Sequence, residues 1–462
     1  MPKAAAADST TRVLRGVVNL PELQRHQSER YPYLLQTVAR GAAPGRYDIL
    51  MAFPGAALTL HADGRLSGVA PGAVVGNGFL DALDGWWQRK CVPPPNSTLR
   101  HVPFRGGWFL FLAYELAVEI EPVLHLQPDQ ILPLAWATRI PAAVICDHAR
   151  GTTTLLAESG HAEQMEQMHT DLRALAPPPA DARPLLAAPL TEEDPRRYLH
   201  AVARARSYIR DGDIFQANLS RQWQAPLRPE ASAAEIYRRL CRANPAPFAA
   251  LALHGDSAII SSSPERLVRV HGGRAETRPI AGTRPRDSDP ELDAALIHEL
   301  LANPKERAEH VMLLDLERND LGRVCRTGSV RVDELMAIES YAHVHHIVSN
   351  VSGELRADVT PGQVLRAIFP GGTITGCPKV RCMQIIAELE AAARGAYTGS
   401  LGYLNRDGDL DLNILIRTLV KNGPQLQFRA GAGIVADSVP ERELEETRAK
   451  ARGLARALGA DA

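Results

Sequence analysis

Gly399-Ser-Leu-Gly-Tyr-Leu-Asn-Arg-Asp-Gly-Asp-Leu-Asp-Leu-Asn-Ile-Leu-Ile-Arg-Thr-Leu-Val-Lys-Asn-Gly-Pro-Gln-Leu-Gln-Phe-Arg-Ala-Gly431 reads as three strands in succession, over 399–404, 410–419 and 425–431, with no helix between them. Upstream the same mixture recurs. Strands are expected over 249–254, 258–262 and 343–351, and helices over 195–210, 232–243, 291–301, 304–316, 380–393 and 440–458. Because helices and strands do not alternate strictly, the pattern predicts an α+β fold with large antiparallel sheets rather than a doubly wound one. Further upstream, strands are expected over 56–61, 108–113 and 142–146, with a helix over 78–90.

The clearest seam is Ala/Pro-rich, at 176–194, and suits neither a helix nor a strand interior. It divides the chain into an N-terminal subregion, 1–175, and a C-terminal region, 195–458. No Gly-x-Gly-x-x-Gly opens a helix after a strand and no Walker-type Gly-Lys-Ser/Thr is present, so nucleotide cofactors are not indicated.

The 462 residues carry a formal net charge of -1, with 45% apolar and 23% charged residues. Basic residues are scattered, which favours neither nucleic acid nor an anionic membrane as a partner. The first residues are polar and Ala-rich, and the apolar run 108–118 is interrupted by Tyr114 and Glu115 and is too short for a bilayer. A cytoplasmic location is expected. The six cysteines lack Cys-x-x-Cys spacing and read as reduced thiols; Cys377, inside a Gly-rich turn, has no flanking base at a useful spacing and is read as structural.

The chemistry concentrates in the C-terminal region. Glu306/Glu309 and Glu443/Glu446 are each three residues apart on an expected helix and so share a face. If the two faces met, four negative charges would need a divalent cation among them; acidic surface helices would look the same. Ser438 and Glu441 read as a capping box for the second helix, with Pro440 in its first turn and Lys450 one turn beyond Glu446. The turn Gly371-Gly-Thr-Ile-Thr-Gly-Cys-Pro-Lys379 runs toward the helix over 380–393 and is either an anion-holding nest or an ordinary connection. Gly431-Ala-Gly433 is a second, weaker nest. Arg417 lies on an otherwise apolar strand and needs an anionic partner, either an internal carboxylate or a bound one.

In Tyr341-Ala-His-Val-His-His-Ile-Val-Ser349 the alternation places His343 and His345 on one face and His346 on the other, which disfavours a zinc site. His346 reads as an acid, base or hydrogen-bond donor. Glu265, in the turn that ends Ser262-Ser-Pro-Glu265, reads as a general acid.

Together these positions resemble the chorismate-utilising family, which includes the large subunits of anthranilate and aminodeoxychorismate synthases and the isochorismate and salicylate synthases. The motifs are Gly212-Asp-Ile-Phe-Gln-Ala-Asn-Leu-Ser-Arg221, Ser262-Ser-Pro-Glu-Arg266, Arg278-Pro-Ile-Ala-Gly-Thr-Arg284, Glu309-His-Val-Met-Leu-Leu-Asp-Leu-Glu-Arg-Asn-Asp320, Phe369–Lys379 and Gly431–Ser438. Arg105-Gly-Gly-Trp108 and Tyr114-Glu115 extend the likeness more weakly into the N-terminal half. The resemblance implies one large α+β unit, a two-sheet sandwich with surrounding helices and the active site in a cleft. It implies Mg2+ held by Glu309 and Glu446, with Glu306 and Glu443 supporting through water, and chorismate as substrate. Tyr397, Arg417, Gly431 and Gly433 would contact the enolpyruvyl carboxylate, with Lys450 among the substrate-binding residues. His346, Thr373, Gly282 and Thr283 would line the ring pocket, and Glu265 would protonate the departing C4 hydroxyl.

The branch is read from departures. Water-using members of the family carry a lysine base where this chain has Gln216, so ammonia is the expected nucleophile. Ala281 stands where aminodeoxychorismate synthases often have a covalent lysine, and anthranilate synthases share that alanine. Against this, Phe215–Arg221, Gly371–Thr375, Asp320–Arg323, Tyr31–Gln36 and Arg46–Leu50 resemble the folate branch, and the tryptophan-feedback element appears only as Leu34-Leu-Gln-Thr37. The expected activity is amination of chorismate to 4-amino-4-deoxychorismate, with anthranilate synthesis as the alternative. No glutaminase signature is present, so a separate glutamine amidotransferase subunit is the expected ammonia source.

Overall fold

The computed structural model describes residues 9–39, 45–68, 78–94, 99–177, 183–341 and 344–460. Among these, a 12-stranded and an 11-stranded antiparallel sheet form the frame. Both sheets draw on both sides of the Ala/Pro seam. In the larger sheet Tyr33–Gln36 pairs with Phe248–His254, and in the smaller one Gly107–Leu112 pairs with Ser400–Asn405. Residues 178–182 of the seam lie outside the described residues; later in it, Thr191–Glu192 forms a short strand against Trp223 and Gln224.

The sheets pack through the side chains that alternation sends inward. Tyr33, Ile49 and Ile259 of the larger sheet meet Phe109, Phe111, Trp136 and Tyr403 of the smaller one. Tyr33 and Phe109 stack at 3.8 Å between ring centroids. Each such side chain contributes about 1.5–3 kcal/mol through burial. Helices cover the outer faces: Ile236, Tyr237 and Leu454 on the larger sheet, and Phe79, Trp86, Leu314 and Leu365 on the smaller. No helix among the described residues is long and apolar enough to cross a membrane.

Most expected elements are present, including helices Pro195–Arg210 and Pro440–Leu458 and strand Gln425–Ile434. Three differ in ways that matter for the site. The expected strand over 410–419 is two strands, Leu410–Asn413 in the smaller sheet and Thr418–Asn422 in the larger. The chain crosses between sheets at Ile414–Arg417, and Arg417 takes a left-handed φ of 53° there. The apolar run hides this break because both sides of the crossing are buried. Helix Pro304–Gly322 continues six residues past the expected end at Leu316. The helix beginning at Pro440 is capped at Val439 without a side-chain hydrogen bond, so there is no capping box. Ser438 turns back instead, and its hydroxyl accepts from the Val435 N–H at 3.0 Å.

Candidate active site

The crossing at Ile414–Arg417 is where the site is built. Its backbone is held from both sides: Ile414 N–H donates to the Glu265 carbonyl at 3.0 Å, and Ser262 N–H donates to the Arg417 carbonyl at 3.1 Å. Arg417 is therefore a crossover residue rather than a strand residue. Among the described residues no group accepts a hydrogen bond or ion pair from its half-buried guanidinium. Burial lowers its pKa, and the Tyr397 hydroxyl and Glu446 pull it back up. A cation so placed is a receptor for an anion.

His346 stands beside it. Strand Ile280–Pro285 pairs with Val344–Glu354 so that Thr283 lies opposite His346, with Thr283 Oγ1 and His346 Nδ1 2.9 Å apart. Burial, and then the Arg417 guanidinium, push the His346 pKa down to about 4. The ring is neutral at neutral pH, which suits a hydrogen-bonding partner rather than a cationic acid. His345 points away into a structural contact, with Nε2 2.8 Å from Asp293 and Nδ1 2.7 Å from Ser340. His343 lies outside the described residues. Gly282, with φ 75°, bulges the strand next to Thr283, and a Cβ there would meet Glu306 Oε2 at 3.0 Å.

Tyr397, Gly431 and Lys450 form the adjoining wall. Gly431 and Gly433 lie within strand Gln425–Ile434 rather than after it, so they form a close-packed floor and not a nest. A Cβ on Gly431 would come within 2.7 Å of the Tyr397 hydroxyl. Lys450 Nζ donates to the Gly431 carbonyl at 3.0 Å and pairs with Glu446 at 2.7 Å. Tyr397 is backed by Arg394, whose guanidinium carbon lies 5.6 Å from the ring centroid and which is itself locked in a buried network with Glu390.

Glu265 lies at the third side. Glu265 is 5% exposed, and burial pushes its pKa up to about 8. The Thr373 hydroxyl faces it, and Glu265 Oε1 and Thr373 Oγ1 are both buried without a hydrogen-bond partner of ordinary geometry. Thr373 sits in the short helical turn Gly372–Ile374. The Gly-rich segment does not run directly into a helix. Gly376–Cys377 first pairs with Gln216 and Ala217, and helix Lys379–Glu390 follows with Pro378 as its cap.

The four glutamates lie on two helices, Pro304–Gly322 and Pro440–Leu458. Glu309 accepts from Gln216 Nε2 at 2.8 Å, and its Oε1 would lie 3.6 Å from a Cβ on Gly433. Glu306 pairs with Arg284 at 3.2 Å. Glu443 and Glu446 both act electrostatically on the Tyr198 hydroxyl. Among the described residues, no three His, Cys, Asp or Glu side chains are grouped closely enough to hold a metal ion. The donor chemistry nonetheless fits a hard dication: all four are carboxylates, and Glu306 and Glu446 already hold a cationic side chain each.

Sequence reasoning missed Glu317, because the helix was ended at Leu316, and missed Asn218, whose Oδ1 would lie 3.0 Å from a Cβ on Gly431. Asn218 sits on strand Gln216–Pro226 two residues after Gln216, on the same face, and that spacing was a usable signal.

Residues 82–456 match the model of the chorismate binding enzymes. The chain is 45% identical over 396 residues to aminodeoxychorismate synthase component 1 of Bacillus subtilis, covering 82% of each. It is 44% identical over 365 residues to anthranilate synthase component 1 of Thermus thermophilus, covering 77% of this chain and 78% of that one. Its fold is similar to the crystal structure of anthranilate synthase component I from Streptococcus pneumoniae TIGR4, at TM-score 0.76 and 32% identity, covering 90% and 93%.

Proposed function

Because the chain belongs to the chorismate-binding enzyme family, we propose that it is the large subunit of an aminodeoxychorismate synthase, aminating chorismate with ammonia on the route to 4-aminobenzoate and folate. The observation that carries the amine-using chemistry is the Gln216–Glu309 hydrogen bond. An amide at that point has no basicity with which to activate water, whereas ammonia is nucleophilic without a base.

Chorismate brings two carboxylates and an allylic ring hydroxyl. Arg417, with the Tyr397 hydroxyl beside it and the Gly431 backbone below, suits one carboxylate. Neutral His346 and Thr283 offer hydrogen bonds along the ring. Loss of the ring hydroxyl as water requires a proton, and Glu265 holds one at neutral pH. Glu309 and Glu446, supported by Glu306 and Glu443, would hold Mg2+, which supplies charge neutralisation for the other carboxylate. In binding it, Glu306 and Glu446 would give up Arg284 and Lys450.

Ala281 supports the second reading, anthranilate synthesis. It is buried next to Gly282 and Thr283, and no amine at this position can attack the ring. The likenesses at 215–221, 320–323 and 371–375 favour the folate branch. A separate glutamine amidotransferase subunit and a cytoplasmic setting go with either. The deciding experiment gives the purified chain chorismate, Mg2+ and ammonium, and separates products with and without aminodeoxychorismate lyase. 4-Aminobenzoate formed only with the lyase supports the proposal; anthranilate formed without it overturns it in favour of the second reading.

A further inference from the structure

Glu317 takes no part in the chemistry described above, yet its carboxyl is sealed against the same turn that holds the acid. It lies on helix Pro304–Gly322, is 5% exposed, and its Oε1 would lie 3.5 Å from a Cβ on Gly372. Glu265 faces the Thr373 hydroxyl, on the next residue of that turn. The two carboxyls are close enough for the charge of Glu317 to act directly on Glu265. Resting on the reading of Glu265 as the proton donor, we propose that Glu317 is the positioning residue that keeps Glu265 in its acid form, the two carboxyls holding one proton between them behind the Gly371–Thr373 turn.

Two carboxylates in a site closed to water cannot both ionise cheaply, and they titrate as a pair. Their surroundings decide which keeps the proton. The anion of Glu317 is supported first by Lys379, which is ion-paired with Asp320, and then by the Thr277 hydroxyl and the Gly372 backbone. Asp320 opposes that support with its own charge, and burial raises the pKa of Glu317 to about 7. Glu265 has a buried oxygen with no donor, and burial together with the Glu317 charge outweighs the Thr373 hydroxyl, the Ile280 backbone and Lys450, which favour its anion. The proton therefore stays on Glu265 until a ring hydroxyl accepts it. As the carbon–oxygen bond breaks, its electron pair goes to oxygen, the proton completes a water molecule, and Glu265 is left as a carboxylate. Beside ionised Glu317 that carboxylate is driven to recover a proton from solvent, which resets the acid.

The test is the pH dependence of kcat/KM for wild type, Glu317→Gln and Glu317→Asp, with Glu265→Gln as the inactive control. Removing the Glu317 charge is expected to move the alkaline limb to lower pH by about one unit. The aspartate variant, which withdraws the charge by one methylene, is expected to move it less in the same direction. An unmoved limb in Glu317→Gln, or in Glu317→Asp if the first variant fails to fold, overturns the proposal. The infrared band of protonated carboxyl groups, read without substrate, separates this from the functional reading. Glu115, another buried acid with its pKa raised to about 7, contributes to every spectrum and cancels in differences. At pH values near neutral the band should shrink in Glu265→Gln, and in Glu317→Gln it should be lost at a lower pH than in wild type. A chain that does not turn over chorismate but shows this band pattern fails only the functional reading. A band indifferent to either substitution overturns the pair.

Discussion

Gln216 Nε2 donates a 2.8 Å hydrogen bond to Glu309 Oε1, joining strand Gln216–Pro226 to helix Pro304–Gly322 at the floor formed by Gly433. The contact fixes one carboxylate oxygen of Glu309 and leaves its charge in place, since an amide donor does not neutralise it. The residue that would otherwise be read as the activator of a nucleophile is thus a positioner of a carboxylate.

Glu309→Gln removes that charge while keeping the shape of the side chain. Turnover that depends on Mg2+ should fall at least a hundredfold, with thermal stability within about 1 kcal/mol of wild type. Circular dichroism melts beside a chorismate assay over a Mg2+ series check both halves. Unchanged activity would remove Glu309 from the cation site.

The Arg394–Glu390 pair is buried on both sides, at 2.7 Å, with Arg429 as a second cation at 3.2 Å from Glu390. Glu390→Ala leaves two arginines without their counter-charge. It should cost about 3–5 kcal/mol in denaturant unfolding and also weaken substrate binding, because Arg394 backs Tyr397. A loss below about 1 kcal/mol would show that water reaches the network.

Burial pushes both His310 and His346 down to about 4. An unfolded histidine takes up its proton near 6.5, so between pH 6.5 and 4 the unfolded state binds more protons than the folded one. Stability should therefore fall as pH falls through that window, by on the order of 2 kcal/mol per histidine. His310→Asn should flatten its share of the slope, read as the wild-type minus variant difference in urea unfolding at each pH. The raised carboxyls Glu265, Glu115 and Glu317 act with the opposite sign as pH climbs from the ordinary carboxylate range to about 7–8, and they cancel in that difference.

Ala281 pairs with Ile347 one residue before Gly282, so a lysine there would begin beside Thr283 and His346. Ala281→Lys should raise the share of product aminated at C4, measured as 4-aminobenzoate after lyase treatment against anthranilate. An unchanged ratio would show that regiochemistry is set elsewhere in the pocket.

Much of this was legible in the sequence because local signals and tertiary roles agreed. Pro195 and Pro440 open their helices where first-turn prolines should, and the alternation around His345 and His346 does send the two rings to different partners. Ile414-Leu-Ile-Arg417 is apolar because it is buried while passing from one sheet to the other, and burial looks the same in a crossing as in a strand. Glu317, one residue past the expected helix end at Leu316, is enclosed against Gly372, which its charge and its place in the sequence do not signal. Ser438 carries the spacing of a capping box, but its hydroxyl accepts from the Val435 N–H instead.

The sheet crossing at Arg417 is proposed to receive a carboxylate of chorismate. This is tested most directly by titrating chorismate into wild type and Arg417→Ala by calorimetry, with Mg2+ present in both. A charge-assisted hydrogen bond lost from a half-buried site is worth about 1.5–3 kcal/mol, so the predicted result is roughly a 10- to 150-fold weaker Kd with the fold intact. Equal affinity in the two proteins would contradict the account and place the substrate elsewhere.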